Sequence, residues 1–344
     1  MALNLTGRET HEIVAVVEQF ARPRSFLLDT FFPQISESDD QYVDIEEVVR
    51  GKYMAPIVHE DHPGRDVKTG GFNTSRFEPA LVKPLESVKP KRAFKRMAGE
   101  QAGGIMTPAE RFQLTILDIL QEQRKSIIRR KEWQASSALR NGSLTLNGEG
   151  YEKPITVDYQ RPSNLTLALL ADNQWGDDGV DPAQDLENWM LTLQQESGYG
   201  VTDVVFDPKA WWKARPAFKD ALDNRRQDGG KLQLGPVNVG DDVSQARFLG
   251  DIGDLRFWVY QEWYDDAQGV QQIMPDNTVI LGSAAIEGIQ AQGAIADDAV
   301  GFLPLEYAPN VYRENNPPKT FCMTQSKPLV IPARANASMC VTVA

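Results

Sequence analysis

The sequence predicts an α+β fold. One long segment, 107–140, has both ends marked as a single helix, and the segments after it carry the β-branched, aromatic and turn-bounded patterns of strands. Helices and strands do not alternate as regular βαβ units, which sets aside a doubly wound parallel sheet.

The chain opens on a sticky N-terminal arm, residues 1–41. Ile13, Val14, Val17 and Phe20 form a short helical stripe, and Phe26, Leu27, Leu28, Phe31 and Phe32 follow before Pro33. From 42 to 97 the pattern turns extended and irregular. Pro56, Pro63, Pro79, Pro84 and Pro90 are too closely spaced for a helix, so the segment reads as a long β-hairpin bending between His59 and Gly71. Two arms of roughly twenty residues at ~3.3 Å each would reach about 60 Å, further than the radius of a compact domain of this mass. A two-stranded ribbon is marginal alone in water, so this one is expected to lie on a neighbouring copy.

The helix 107–140 is the clearest element. Thr107 and Glu110 form a T-x-x-E capping box, Pro108 takes the first helical position, and Asn141-Gly142 supplies the stop. Phe112, Leu117, Leu120, Ile127, Ile128, Ala135, Ala138 and Leu139 make its apolar stripe. A hairpin follows, 143–146 and 155–159, around Asn147-Gly148-Glu149-Gly150. Asp181-Pro182 and Asp207-Pro208 then open two further helices, the second bent at Pro216, with a strand at 201–206 between them. Strands are expected at 255–264, 270–274, 278–281, 320–325 and 338–343.

Charge divides the chain. Residues 151–300 hold 11 Lys+Arg against 25 Asp+Glu, a net of −14, whereas the rest is near neutral at +2. An acidic module between neutral flanks argues against sequence-specific nucleic-acid binding, which needs clustered positive charge. No apolar run is long enough for a membrane span and the start lacks the order of a signal peptide, so the protein is expected in the cytoplasm where it is made. Cys322 and Cys340 lack C-x-x-C spacing and read as buried free thiols.

No nucleophile-elbow, P-loop or zincin motif is present, and the only histidines are His11, His59 and His62. His59-Glu60-Asp61-His62 has metal-ligand side chains but falls at the ribbon bend, where a solvated turn is the plainer reading. The acidic pairs Asp177-Asp178, Asp241-Asp242, Asp265-Asp266 and Asp297-Asp298 match no calcium loop and read as acidic turns. Arg124, Lys125, Arg129, Arg130 and Lys131, like Lys89, Lys91, Arg92, Lys95 and Arg96, fit either non-specific contact with DNA phosphates or ion pairs on a solvated face. Trp211-Trp212 and the cluster Phe257, Trp258, Tyr260, Trp263 and Tyr264 have the spacing of core or interface rather than of a base platform. No catalytic residue, metal or cofactor is nominated.

Read in order, several of these pieces resemble the coat proteins of lambda-like tailed bacteriophages over nearly the whole chain. They are PIV from Pro56 to Val58, GGFNTSRFEP from Gly70 to Pro79, VKP from Val82 to Pro84, VVFDPKAW from Val204 to Trp211, PDNTVILG from Pro275 to Gly282 and TQSKPL from Thr324 to Leu329. The resemblance implies the Hong Kong 97-like capsid fold: arm 1–41, E-loop 42–97, peripheral domain 98–155 with spine helix 107–140, axial domain 156–300, and a return to the peripheral domain over 301–344. It also implies pentamers and hexamers closing an icosahedral shell around double-stranded DNA, a separate rather than fused scaffolding protein, a portal, often a decoration protein, and a place in the virion. The E-loop of one copy would lie over the next, burying residues such as Phe72 and Phe77 at ~25 cal/mol/Å². Pro56, Gly70, Gly71, Phe72, Phe77, Asp276 and Asn277 are the intersubunit candidates. Some relatives of the fold cross-link a Lys to an Asn, but the group resembled here does not, and no such pair is nominated. A cargo-enclosing compartment of the same fold and, more remotely, a soluble hydrolase are the other classes weighed.

Overall fold

The computed structural model describes residues 13–15, 20, 22–40, 42–49, 54–65, 71–95, 106–171, 173–224, 246–266, 269–297 and 301–344. Its centre is a six-stranded mixed sheet. In spatial order the strands are Thr166–Ala168, Ser338–Thr342, Thr278–Gly282, Asp203–Phe206, Leu255–Tyr260 and Ala246–Ile252.

Side chains alternate across this sheet, and each face has its own core. Val205, Tyr260, Ile280 and Cys340 turn to one side, where they meet Ala135, Ala138 and Leu139 of the long helix and Leu27, Leu28, Phe31 and Phe32 of the arm. Val204, Phe206, Phe257, Val279, Leu281, Met339 and Val341 turn to the other, onto Leu186, Trp189, Leu193, Trp211 and Phe218 of helices Pro182–Ser197 and Pro208–Asn224. A sheet covered on both faces explains why Asp203–Phe206 and Thr278–Gly282 are buried along their whole length.

The long helix runs Pro108–Asn141 and starts as the sequence dictates. Thr107 accepts from the Glu110 amide while Glu110 reaches back to the Thr107 amide at 2.7 Å. Its stop is Gly142 at φ 64, with Arg161 donating to the carbonyls of Leu139 and Arg140. Its first half packs Ile116, Ile119 and Leu120 against Ile13, Val88, Val311 and Cys322. Phe112 and Leu117 are only half-buried there, so the stripe is rotated slightly from the predicted one. The hairpin Ser143–Leu146 with Ile155–Asp158 and the two later helices stand where expected. Both cysteines are free and buried.

Two expectations change, the course of the ribbon's second arm and the strand 255–264. Among the described residues the ribbon pairs Val43–Val49 with Gly71–Phe77 antiparallel. Beyond it, Leu85–Val88 leaves the ribbon to pair with Pro318–Gln325, which pairs in turn with Ala308–Asn315. The predicted strand 255–264 is two strands, because Trp263–Asp266 departs to form a hairpin with Gly269–Gln272. The chain end also divides: Pro328–Ile331 joins Ile289–Gly293 and Gln34–Ser38, whereas Ser338–Thr342 enters the six-stranded sheet, where Cys340 meets the long helix.

Candidate assembly interface

The ribbon has a seated root and a bare tip. At the root Val43 is buried and Phe77 packs on the core beneath the six-stranded sheet. Across the pair, Arg76 binds both oxygens of Asp44 at 2.7 and 3.1 Å, and this hydrogen bond holds the Asp44 carboxyl below its usual range. At the tip Ile57 is fully exposed, Met54 is 93 % exposed, and Pro56 and Val58 also face solvent. His59 forms a turn, its carbonyl accepting from His62 and its Nδ1 from the Asp61 amide at 3.3 Å. Apolar surface of this kind, on an element projecting from its own core, is what a partner would cover.

The other candidates fall in different places. Gly71 and Phe72 pair in register with Val49 and Val48; Gly70 lies outside the described residues, as do Asp241-Asp242, Asp298, Arg96 and the turn at 267–268. Asp276 and Asn277 serve the chain itself. Asn277 takes φ 58 and donates its amide to Asp207 at 2.9 Å, while Asp276 pairs with Lys209, which fixes the entry into strand Thr278–Gly282.

The basic half of the long helix is not one face. Lys131 is 1 % exposed and bound to Glu306 at 2.6 Å; Arg124 is buried, donates to the Phe20 carbonyl at 2.8 Å and lies over the Tyr307 ring. Lys131 thus takes the ion-pair alternative of the sequence reading, and Arg124 is turned inward rather than onto a solvated face. Both continue the apolar stripe at helical spacing, and that was the signal available in the sequence. Lys125 pairs with Glu122 at 2.9 Å, and Arg129 and Arg130 face outward, Arg130 over the Trp133 ring. These two arginines line a cleft of about 680 Å³ together with Trp133, Trp263, Asp265 and Asp266, so its charge is mixed rather than basic. Sequence reasoning missed the buried polar residues of this helix. Gln123, for example, donates to the Cys322 carbonyl at 2.9 Å and accepts from Thr324 at 2.7 Å. Among the described residues no group of His, Cys, Asp and Glu has a metal-binding arrangement, and no helix is long and apolar enough to cross a membrane.

A structural protein with a projecting, apolar-tipped ribbon agrees with the family comparison, in which the model for phage major capsid protein E matches residues 9–343. The chain belongs to that family. This capsid protein is 29% identical over 289 residues to the major capsid protein of Escherichia phage lambda, covering 81% of each chain. It is 27% identical over 336 residues to that of Escherichia phage N15, covering 94% and 95%. A crystal structure of a prophage capsid protein from Escherichia coli CFT073 matches it over the full length of both chains with a TM-score of 0.71 at 23% identity. The capsid of Ralstonia phage GP4 matches with a TM-score of 0.52 at 12% identity, over 95% and 93% of the two chains. The fold is therefore Hong Kong 97-like. As a major capsid protein of the lambda-like kind it self-assembles into the phage head shell and is part of the virion, and the comparisons favour this over a compartment of the same fold.

Proposed function

We propose that the chain assembles in the host cytoplasm as pentamers and hexamers, joined by laying the ribbon tip of one copy on the body of the next. The shell so formed encloses double-stranded DNA, with help from a separate scaffolding protein, a portal and a decoration protein. The observation that carries this reading is the bare apolar tip, Met54 and Ile57, beyond a root buried in its own subunit. In this account 1–41 is the arm, 42–97 the E-loop, 98–155 the peripheral domain and 156–300 the axial domain, with the strand Ser338–Thr342 contributing to the axial sheet. Arg129 and Arg130 are the long-helix side chains left to meet DNA, non-specifically, and no catalytic group takes part.

Negative-stain electron microscopy with sedimentation velocity tests this on the wild-type chain and on Met54→Ser/Ile57→Ser, each with and without the neighbouring phage genes. Rings, tubes or shells from the wild type, lost in the double variant, are the expected result. A monodisperse monomer under every condition, or equal assembly by the variant, would overturn it.

A further inference from the structure

Where the arm, the long helix and the six-stranded sheet meet, two carboxyls converge on one phenol. The Tyr260 hydroxyl lies 3.0 Å from Glu132 Oε1 and 2.9 Å from Glu262 Oε2. A phenol has a single proton to give, so it can donate to only one of them. With both carboxyls ionised, the second contact would set lone pair against lone pair. The geometry closes only if the other carboxyl supplies its own proton to the phenol oxygen.

Glu132 is held from the opposite side, its two oxygens accepting from the amides of Leu27 and Leu28 at 2.8 and 3.0 Å. Those two bonds suit a carboxylate, so the proton belongs on the Glu262 side of the phenol. Phe26 stacks on Tyr260 and tilts against Trp258, closing the site from the arm, and Arg129 of the long helix faces Glu262 from outside. Glu262 is half-buried and leads directly into the hairpin Trp263–Asp266 and Gly269–Gln272.

We propose that Glu132, Tyr260 and Glu262 form a proton-dependent latch: the two carboxyls keep one proton between them at neutral pH, and its loss frees Glu262 and the hairpin behind it from the long helix. The charges are consistent with this. Burial raises both carboxyls, Glu132 against the Leu27 amide and Glu262 against the hydrogen bond from Tyr260 and the pull of Arg129, so the pair keeps a proton above the ordinary carboxyl range. The folded chain therefore holds a proton that the unfolded chain has released. Its stabilisation is complete below the ordinary carboxyl range and is lost as pH rises through the raised range of the pair. The hairpin released carries Trp263, Asp265 and Asp266, the wall of the cleft facing Arg129 and Arg130.

Infrared spectroscopy of the full chain in heavy water tests the latch, read beside hydrogen exchange of residues 263–272 corrected for intrinsic base catalysis. Wild type should show the carbonyl band of a protonated carboxylic acid at neutral pH, about one per chain, fading as pH rises while protection of the hairpin falls. Glu262→Gln, whose amide donates to Tyr260 at every pH, should lack the band and keep its protection. Tyr260→Phe should lose the pH dependence of protection while keeping the fold. A wild type without the band at neutral pH, a band unchanged in Glu262→Gln, or protection that falls equally in wild type and Glu262→Gln would overturn the proposal.

Discussion

Lys131 and Glu306 illustrate how differently the two ends of one ion pair respond to removal. Lys131 is enclosed, and burial pulls its ammonium below the usual range against the opposing pull of Glu306; Glu306 keeps 29% of its side chain in water. Glu306→Ala strands a buried cation, a loss on the order of 3–5 kcal/mol. Lys131→Met removes that charge, fills its space and leaves a carboxylate that water can reach, so its cost should be clearly smaller. Urea unfolding of the two variants checks the order; equal losses would mean that the ammonium is not the stranded partner. At this scale the sequence was legible in part. Ile127, Ile128 and Ala135 announce the core stripe, and Arg124 and Lys131 sit on the same stripe, but whether a long cation there turns in depends on Phe20 and Glu306, far along the chain. Glu132 is hidden for the same reason, since its partners Leu27, Leu28 and Tyr260 come from two other elements.

The long helix was the most legible element because its signals are local. Thr107, Pro108 and Glu110 start it and Gly142 stops it within a few residues of each boundary. What the sequence did not reveal is the second half of the stop. Arg161, itself pulled down to about 10 by burial, caps the Leu139 and Arg140 carbonyls, and a Cβ on Gly142 would fall 2.6 Å from the Arg161 Cβ. Gly142→Ala therefore meets both a left-handed backbone and a clash with the capping residue. A loss of about 2 kcal/mol or more in chemical denaturation is expected, above the ~1 kcal/mol of an ordinary glycine preference. Arg161→Ala should lower stability too, by leaving helix carbonyls without their donor, and combining the two changes should cost less than their sum because they damage one cap. Additive losses would show that the two act separately. The course of the ribbon's second arm, by contrast, was misjudged. Prolines 79 and 84 mark where pairing with the first arm ends, but nothing local says that Leu85–Val88 finds Pro318–Gln325, more than two hundred residues on.

For the whole molecule, in the assembly proposed above, the exposed tip and the acidic module would act in opposite directions. Covering Met54 and Ile57 offers roughly 1.5–3 kcal/mol each if burial is complete, so Met54→Ser/Ile57→Ser should raise the concentration needed for assembly by about a hundredfold or more. The melting temperature of the isolated chain should hardly move, because neither side chain is buried in it. Against this attraction stands the net charge of −14 over residues 151–300. Copies arranged with these modules around a common axis repel one another, and the repulsion reaches only as far as salt permits, about 10 Å at 0.1 M and about 3 Å at 1 M. Apolar burial at the tip is not weakened by the same salt. Raising ionic strength should therefore lower the assembly threshold of the wild-type chain. It should lower it less in a variant with Asp177, Asp178 and Asp181 changed to Asn, which removes three charges from exposed turns of that module. Light scattering across a salt series measures both thresholds. A wild-type threshold that rises with salt would place attractive ion pairs, rather than like charges, where the modules meet.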